Sequence, residues 1–186
     1  ISFNGFEAGA EGPISKKHKF SYLINYRYST LGLMKALGVS FGTGAAVPNY
    51  QDLFFRFNFP YKKGSVSFWG TGGLSDISFL DSEKDEEDVD LYSGDAEDLR
   101  FKSNIGVLGL NHIHRFDKKN YLNTILSFDA TQNKTDIDNI DTASLKPQDF
   151  YNQVALQGKG ALRIIYNHKF NSKHLIQAGL NNQLKF

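Results

Sequence analysis

The chain has 186 residues, enough for one domain with a hydrophobic core, and carries a net charge of only +1. Such a small charge argues against nucleic-acid binding by bulk electrostatics, which requires many unneutralised Lys and Arg residues. The mean hydropathy is −0.39, and no run approaches the roughly 20 apolar residues of a membrane-spanning helix. Cysteine is absent, which agrees with an envelope protein that lacks disulfides.

Alternation of apolar and polar residues predicts eight strands. The clearest case is "FSYLINYRYS", in which Tyr22, Ile24 and Tyr26 point one way and Asn25 and Arg27 the other. Taken in chain order, the predicted strands cover residues 1–13, 20–32, 50–61, 64–79, 100–116, 120–132, 153–170 and 174–186. Most reach the 9–11 residues of a strand that crosses a bilayer at a tilt, whereas soluble sandwiches use about five or six.

The two faces of these strands differ in chemistry. One face is rich in Phe, Tyr, Leu and Ile, and the other carries polar and charged side chains. The basic residues predicted on the polar face are Arg27, Arg56, Lys159 and Arg163. Because no helix or second sheet is predicted to cover the apolar face, we expect it to contact lipid and the polar face to line a lumen.

The connections alternate between short and long. Lysine-bearing short turns follow the first, third, fifth and seventh strands, and long loops are predicted near residues 33–49, 80–99 and 133–152. Aromatic residues flank the short turns, namely Phe20, Phe59, Tyr61, Phe116, Tyr121 and Phe170. This pattern is typical of an outer-membrane barrel with periplasmic turns, extracellular loops and an interfacial aromatic belt. The fold class predicted is therefore all-β, an antiparallel transmembrane β-barrel segment of about eight long strands.

The loop near residues 80–99 concentrates negative charge. Residues 81–98 hold ten of the chain's twenty acidic residues and one basic residue, Lys84. The candidate oxygen ligands for a cation such as Ca²⁺ are Asp81, Glu83, Asp85, Glu86, Asp88 and Asp90. No glycine follows at the EF-hand position, so we expect a solvated loop without a bound ion and no cofactor.

"HIH" places His112 and His114 on one face of a strand, predicted to be the polar face. Two imidazoles at this spacing bind a metal only when a third ligand arrives from elsewhere, and the sequence fixes none. We therefore expect histidines near the short turns without a metal.

Catalytic arrangements are missing from the sequence. No nucleophile–His–Asp set can be assembled, and Glu7 and Glu11 lie about 13 Å apart along one strand, too far for glycoside hydrolysis. Anchoring of a plug from the lumen, or pairing of these acids with Arg27 on the next strand, is the ordinary explanation. The chain is not expected to be an enzyme.

Three stretches carry a family resemblance: "GFEAGAEGPISKKHKFSYLINYRYSTLGLMKALG", "FGTGAAVPNYQDLFFRFNFP" and "GTGGLSDISFLDSEKD". They resemble the barrel of TonB-dependent receptors from Bacteroidota, most strongly over about residues 5–86. The resemblance implies a plugged barrel of about 22 strands, of which residues 1–186 would be one part, with the plug and remaining strands outside this chain. It also implies an outer-membrane location, contact with lipid, nutrient uptake, coupling to the TonB complex through the plug, and in some relatives a surface lipoprotein.

Two other interpretations remain open. The terminal "QLKF" resembles the assembly signal of bacterial barrels, so the chain could be a complete eight-stranded barrel with a binding, adhesin or porin-like role. A soluble β-barrel carrying an apolar ligand is the third interpretation, disfavoured by the charges on the polar face.

Overall fold

The computed structural model describes residues 5–15, 17, 19–32, 48–80, 82, 97–141 and 146–186. Eight strands form one antiparallel sheet in the described part of the chain: β1 Gly5–Ser15, β2 Phe20–Ser29, β3 Asn49–Tyr61, β4 Gly64–Leu80, β5 Glu97–Arg115, β6 Asn120–Ile140, β7 Pro147–Lys169 and β8 Leu175–Lys185. The spatial order is β1 to β8, with every strand paired to its neighbours in the chain. The predicted all-β, eight-stranded antiparallel architecture is confirmed, and the sheet is open because β1 and β8 do not pair.

No helix formed by the described residues has the length and apolar character needed to cross a membrane.

The register defines two faces. Residues that pair across neighbouring strands point to the same side of a sheet. One continuous row consists of Ile24, Phe55, Gly70, Leu108, Phe128 and Gly160, and we call its side the apolar face. The opposite side, which carries Arg27, Arg56, Asp129, Lys159 and Arg163, is the polar face.

The sheet has no core of its own. The largest side chains that are fully buried are those of Ser67, Asp98 and Asn167, and none of them is apolar. Large apolar side chains stay exposed instead, with Leu108 at 50% and Phe128 at 54%. A soluble domain covers such a face with a second layer, and the described residues supply no second layer. The apolar face must therefore contact something other than these residues.

The prediction of a long loop at residues 133–152 is wrong. β6 continues to Ile140 and β7 begins at Pro147. In β6, residues 133–140 are polar on both faces except for Ile137 and Ile140, which is why the alternation gave no signal. Polar cross-strand contacts help to stabilise this part of the ladder. Ser103 Oγ donates to Asn133 Oδ1 at 2.8 Å, and Arg100 Nη1 donates to Asp138 Oδ2 at 2.6 Å.

The prediction of tight turns at one end of the sheet is confirmed, and two of them have the same design. In the β5–β6 turn, Asp117 Oδ1 accepts hydrogen bonds from the backbone N–H groups of Lys119 (2.6 Å) and Asn120 (2.9 Å). In the β7–β8 turn, Asn171 Oδ1 accepts from the N–H groups of Lys173 (2.8 Å) and His174 (2.9 Å). These side chains replace the missing backbone partners of the turn.

These two turns should differ in their response to acid. The hydrogen bonds from the Asn120 side chain and the Lys119 backbone lower the pKa of Asp117 below its usual 3.8. A carboxyl group with a lowered folded-state pKa stabilises the turn above its unfolded pKa, and the contribution is lost as the pH falls through the folded pKa. NMR should therefore show the amide protons of Lys119 and Asn120 shifting with acid, with a midpoint at lower pH than that of an ordinary aspartate.

The Asn171 turn is the built-in control, because a neutral amide does not titrate in this range. Asp117→Asn should retain the turn and remove the acid-dependent shifts. Equal acid shifts in both turns would contradict the role given to Asp117.

Candidate functional site

The polar face brings Arg27 into an ion pair. Arg27 Nη2 and Nε donate to the same oxygen of Asp52, Oδ2, at 2.7 and 2.9 Å. Glu7 lies opposite Arg27 on β1, but its Oε1 accepts a hydrogen bond from Asn25 Nδ2 at 2.8 Å. The hydrogen-bonded partner of Arg27 is thus Asp52 on β3, and Glu7 on β1 contributes only a longer-range electrostatic attraction.

The other three predicted basic residues lie in different surroundings. Lys159 Nζ is 3.2 Å from Asp129 Oδ2. Arg56 Nη2 contacts Ser67 Oγ at 3.4 Å, and neither Arg56 nor Arg163 has a carboxylate partner among the described residues. Arg56 is on β3 and Arg163 on β7, four strand spacings or about 19 Å apart. The sheet places all four basic residues on one face but does not assemble them into one site.

A small depression surrounds Arg56. Its volume is about 220 Å³, and its lining consists of Phe54, Arg56, Trp69, Asn111 and Ile125. Asn111 Oδ1 is buried without a hydrogen-bond partner among the described residues. The guanidinium and the indole surface together can bind a polar organic solute through hydrogen bonds and stacking.

The chemistry of the two faces is reversed beyond the apolar part of the sheet. On β6 the apolar face runs from Leu122 to Ala130, and we call this stretch and its neighbours the apolar band. Beyond it, the same face becomes charged at Asp76, Arg100, Lys102, Lys134 and Asp136, while the opposite face becomes apolar at Ile77, Phe79, Leu99, Phe101 and Ile137. The sequence prediction missed this reversal, although the alternation in "DISFL" and "DLRF" places the polar residues on the face that is apolar elsewhere.

The six candidate Ca²⁺ ligands, Asp81, Glu83, Asp85, Glu86, Asp88 and Asp90, lie outside the described residues. At the end of that segment, the carboxylate of Asp98 is buried and accepts hydrogen bonds from Ser82 N at 3.0 Å and Ser82 Oγ at 2.7 Å. Arg100 Nη2 lies 3.4 Å from the same carboxylate. Hydrogen bonding to Asp138, helped by the charges of both acids, raises the pKa of Arg100. This cluster joins β5 to β6 and to Ser82.

The prediction that His112 and His114 lie on the polar face is wrong. His112 pairs with Val66 and Thr124, on the apolar face, because the alternation of Leu108 and Leu110 continues into the histidines. Both imidazoles contact Tyr61, whose Oη is 2.8 Å from His112 Nε2 and 2.9 Å from His114 Nδ1.

Aromatic and imidazole rings follow the turn end of the apolar face. Ring centroids lie 5.2 Å apart for Phe20 and Phe59, and 5.0 Å apart for His114 and Phe116. Tyr121 departs from the predicted belt, because it pairs with Arg115 on the polar face. The predicted association of aromatic residues with the short turns otherwise holds at this end of the sheet.

Comparison with protein-family models, with curated proteins and with solved structures finds no match for this chain. Three features of the described residues bear on function: the apolar band, the charged polar face and the ring-lined turn end. The cross-strand register creates each of them by placing side chains of one kind side by side.

Two glycines of β5 test the packing of Trp69: Gly109 lies beside its ring on the polar face, and Gly106 lies on the apolar face. A Cβ on Gly109 would lie 2.4 Å from the Trp69 ring, whereas a Cβ on Gly106 would meet nothing within 4 Å. Gly109→Ala must displace Trp69 and should reduce the free energy of unfolding by about 1–3 kcal/mol. Gly106→Ala should leave it unchanged or raise it by roughly 0.4–1 kcal/mol, because alanine restricts the unfolded chain.

Urea titrations of the two variants and the parent protein, followed by tryptophan fluorescence, would measure the difference. Equal effects of both substitutions would mean that Trp69 does not pack over Gly109.

Proposed function

We propose that the chain is part of the barrel of a TonB-dependent receptor that imports a nutrient across the bacterial outer membrane. The observation that carries the proposal is the apolar band, which is limited in height and lies on one face of a sheet whose other face is charged. The family assignment rests on the sequence resemblance, and the membrane assignment rests on the geometry of the band.

The height of the band suits a bilayer. On β6 it extends from Leu122 to Ala130, and on β7 from Val154 to Tyr166. At about 3.4 Å per residue and a tilt of about 40°, these stretches rise roughly 20 and 30 Å, on either side of the 25 Å apolar band of outer-membrane barrels.

Both borders of the band have the chemistry of a membrane–water interface. At the turn end lie the rings of Phe59, Tyr61 and His114, beside the lysines of the turns. At the other end the same face carries Asp76, Lys102 and Lys134 in one cross-strand row across β4, β5 and β6, whereas on β7 the partner of Lys134 is Val154 and the band extends that far. Aromatic residues prefer the interface, and charged rows beyond it remain in water.

The open edges of the sheet favour a barrel with more strands. In a bilayer each unpaired backbone group costs several kcal/mol, and neither β1 nor β8 has a second partner strand among the described residues. Strands beyond these eight would satisfy both edges, as in the barrel of about 22 strands that the resemblance implies.

In this proposal the polar face is the lumenal wall of the receptor. Arg27, Arg56, Lys159 and Arg163 contribute to the route of the solute, and the depression beside Trp69 is a contact point along it. The plug binds the solute and is released by the TonB complex, and a surface lipoprotein covers the barrel if the protein follows those relatives that have one. No catalytic step is required.

Adjacent residues on β6 test the membrane assignment. Leu126 is at the centre of the band on the apolar face, and Ser127 is its neighbour on the polar face. Leu126→Arg should cost about 2–4 kcal/mol of stability in the bilayer, because it places a charge in hydrocarbon, whereas Ser127→Arg should cost far less. The measurement is the amount of folded protein in isolated outer membranes, followed by urea titration of the membrane-embedded protein.

Cysteine labelling supplies an independent control, because the chain has no cysteine. Ser127→Cys should react with a maleimide that cannot enter membranes, and Leu126→Cys should not. The membrane proposal fails if both positions label equally and both arginine variants fold equally well.

The size of the intact protein distinguishes the large receptor from a small barrel. An antibody against residues 81–98 would detect it in outer membranes solubilised in detergent. A mass several times 20.9 kDa supports the receptor. A mass near 20.9 kDa rejects it in favour of an eight-stranded barrel.

A further inference from the structure

The geometry points to a metal site formed by Tyr61, His112 and His114 at the turn end of the apolar face. The ion it fits is a divalent transition metal that prefers nitrogen and oxygen ligands at right angles, such as Cu²⁺ or Ni²⁺. The site does not depend on the proposed transport function, since it would exist on this sheet in any setting.

Three donor atoms converge there. Tyr61 Oη lies 2.8 Å from His112 Nε2 and 2.9 Å from His114 Nδ1. The two histidines are two residues apart on one strand and share its apolar face, so they can chelate one ion from the same side. The sequence offered this histidine pair without a third ligand, and the fold supplies the phenol oxygen.

Gly64 makes the third ligand reachable. Tyr61 is on β3 and the histidines are on β5, with β4 between them. In the cross-strand row, Tyr61 pairs with Gly64 and Gly64 with His114. A Cβ on Gly64 would lie 2.8 Å from Tyr61 Oη and 1.8 Å from the Ile113 carbonyl oxygen. The missing side chain leaves the gap that Tyr61 crosses.

The oxygen–nitrogen distances of the ion-free cluster fit one coordination geometry without rearrangement. With ligand bonds of 2.0–2.1 Å, two donors 2.8–2.9 Å apart subtend about 90° at the ion, whereas a tetrahedral site needs donors about 3.3 Å apart. Right angles suit tetragonal Cu²⁺ or Ni²⁺ better than tetrahedral Zn²⁺.

The cluster is also accessible to an ion. Tyr61 is 42% exposed, and both imidazoles are partly exposed. Without an ion, the phenol has one hydrogen to donate, and the Ile113 carbonyl oxygen at 3.3 Å is one acceptor for it; each imidazole nitrogen accepts from the phenol or donates to its oxygen, depending on its tautomer. On binding, the phenol releases its proton to solvent and each imidazole contributes a nitrogen lone pair, so affinity falls with decreasing pH.

Copper titration of the purified full chain in detergent tests the site. Electron paramagnetic resonance should show hyperfine coupling to two imidazole nitrogens, and visible absorption should show a phenolate-to-copper charge-transfer band. His112→Gln and His114→Gln should each weaken binding more than about tenfold, measured by competition with a chelator. Tyr61→Phe keeps the ring and should abolish the charge-transfer band while retaining the nitrogen coupling.

His174→Gln is the matched control, because this histidine is in the exposed β7–β8 turn and its hydrogen bonds there are made by its backbone. Its N–H donates to Asn171 Oδ1, and its carbonyl oxygen accepts from the N–H groups of Phe170 and Asn171. It should bind copper like the parent chain. The proposal is overturned if the parent chain does not bind copper, if the double variant His112→Gln/His114→Gln binds equally well, or if Tyr61→Phe leaves the absorption spectrum unchanged. Unchanged far-ultraviolet circular dichroism of each variant would show that a loss of binding is not a loss of fold.

Discussion

The structure depends on one constraint: an antiparallel sheet that leaves a large apolar face uncovered. Exposure of such a face to water is unfavourable, and monomeric proteins rarely expose contiguous apolar patches of more than a few hundred Å². Leu53, Leu108 and Phe128 are each more than a third exposed. The limited height of the apolar band and the charges on the opposite face both fit a sheet whose apolar face is covered by another surface.

Within the sheet, side chains on neighbouring strands pack against each other and bury part of their apolar surface, as side chains in a core do. The Trp69 ring lies over Gly109, and Phe55 and Leu108 fill the space over Gly70. A large residue beside a glycine buries area without a second layer, and it restricts the ring to one position. Gly64 is packed in the same way: the Tyr61 ring occupies the space beside it, and its hydroxyl lies between His112 and His114, where we propose the metal site.

The sequence predicted the number of strands and the faces of most residues, because the alternation of apolar and polar side chains is a property of each strand by itself. It failed where the apolar signal ended. Residues 133–140 continue the ladder of β6, and the Ser103–Asn133 and Arg100–Asp138 contacts support it. These contacts depend on the cross-strand register, which the sequence alone does not give. It also could not find the approach of Tyr61 to His112 and His114, since 51 and 53 residues separate them in the chain.

The reversal of polarity in β4 to β6 constrains the interpretation of this sheet more tightly than the number of strands does. A strand in a soluble sandwich keeps one side inward along its whole length. Here β5 presents Leu108 on one face within the band and Lys102 on that same face beyond it, while Phe101 takes the opposite side. A sheet that passes from hydrocarbon into water would place its charges and apolar residues in this way. In the proposed barrel, the side that lines the lumen within the bilayer would take up apolar side chains above it, where the lipid-facing side meets water.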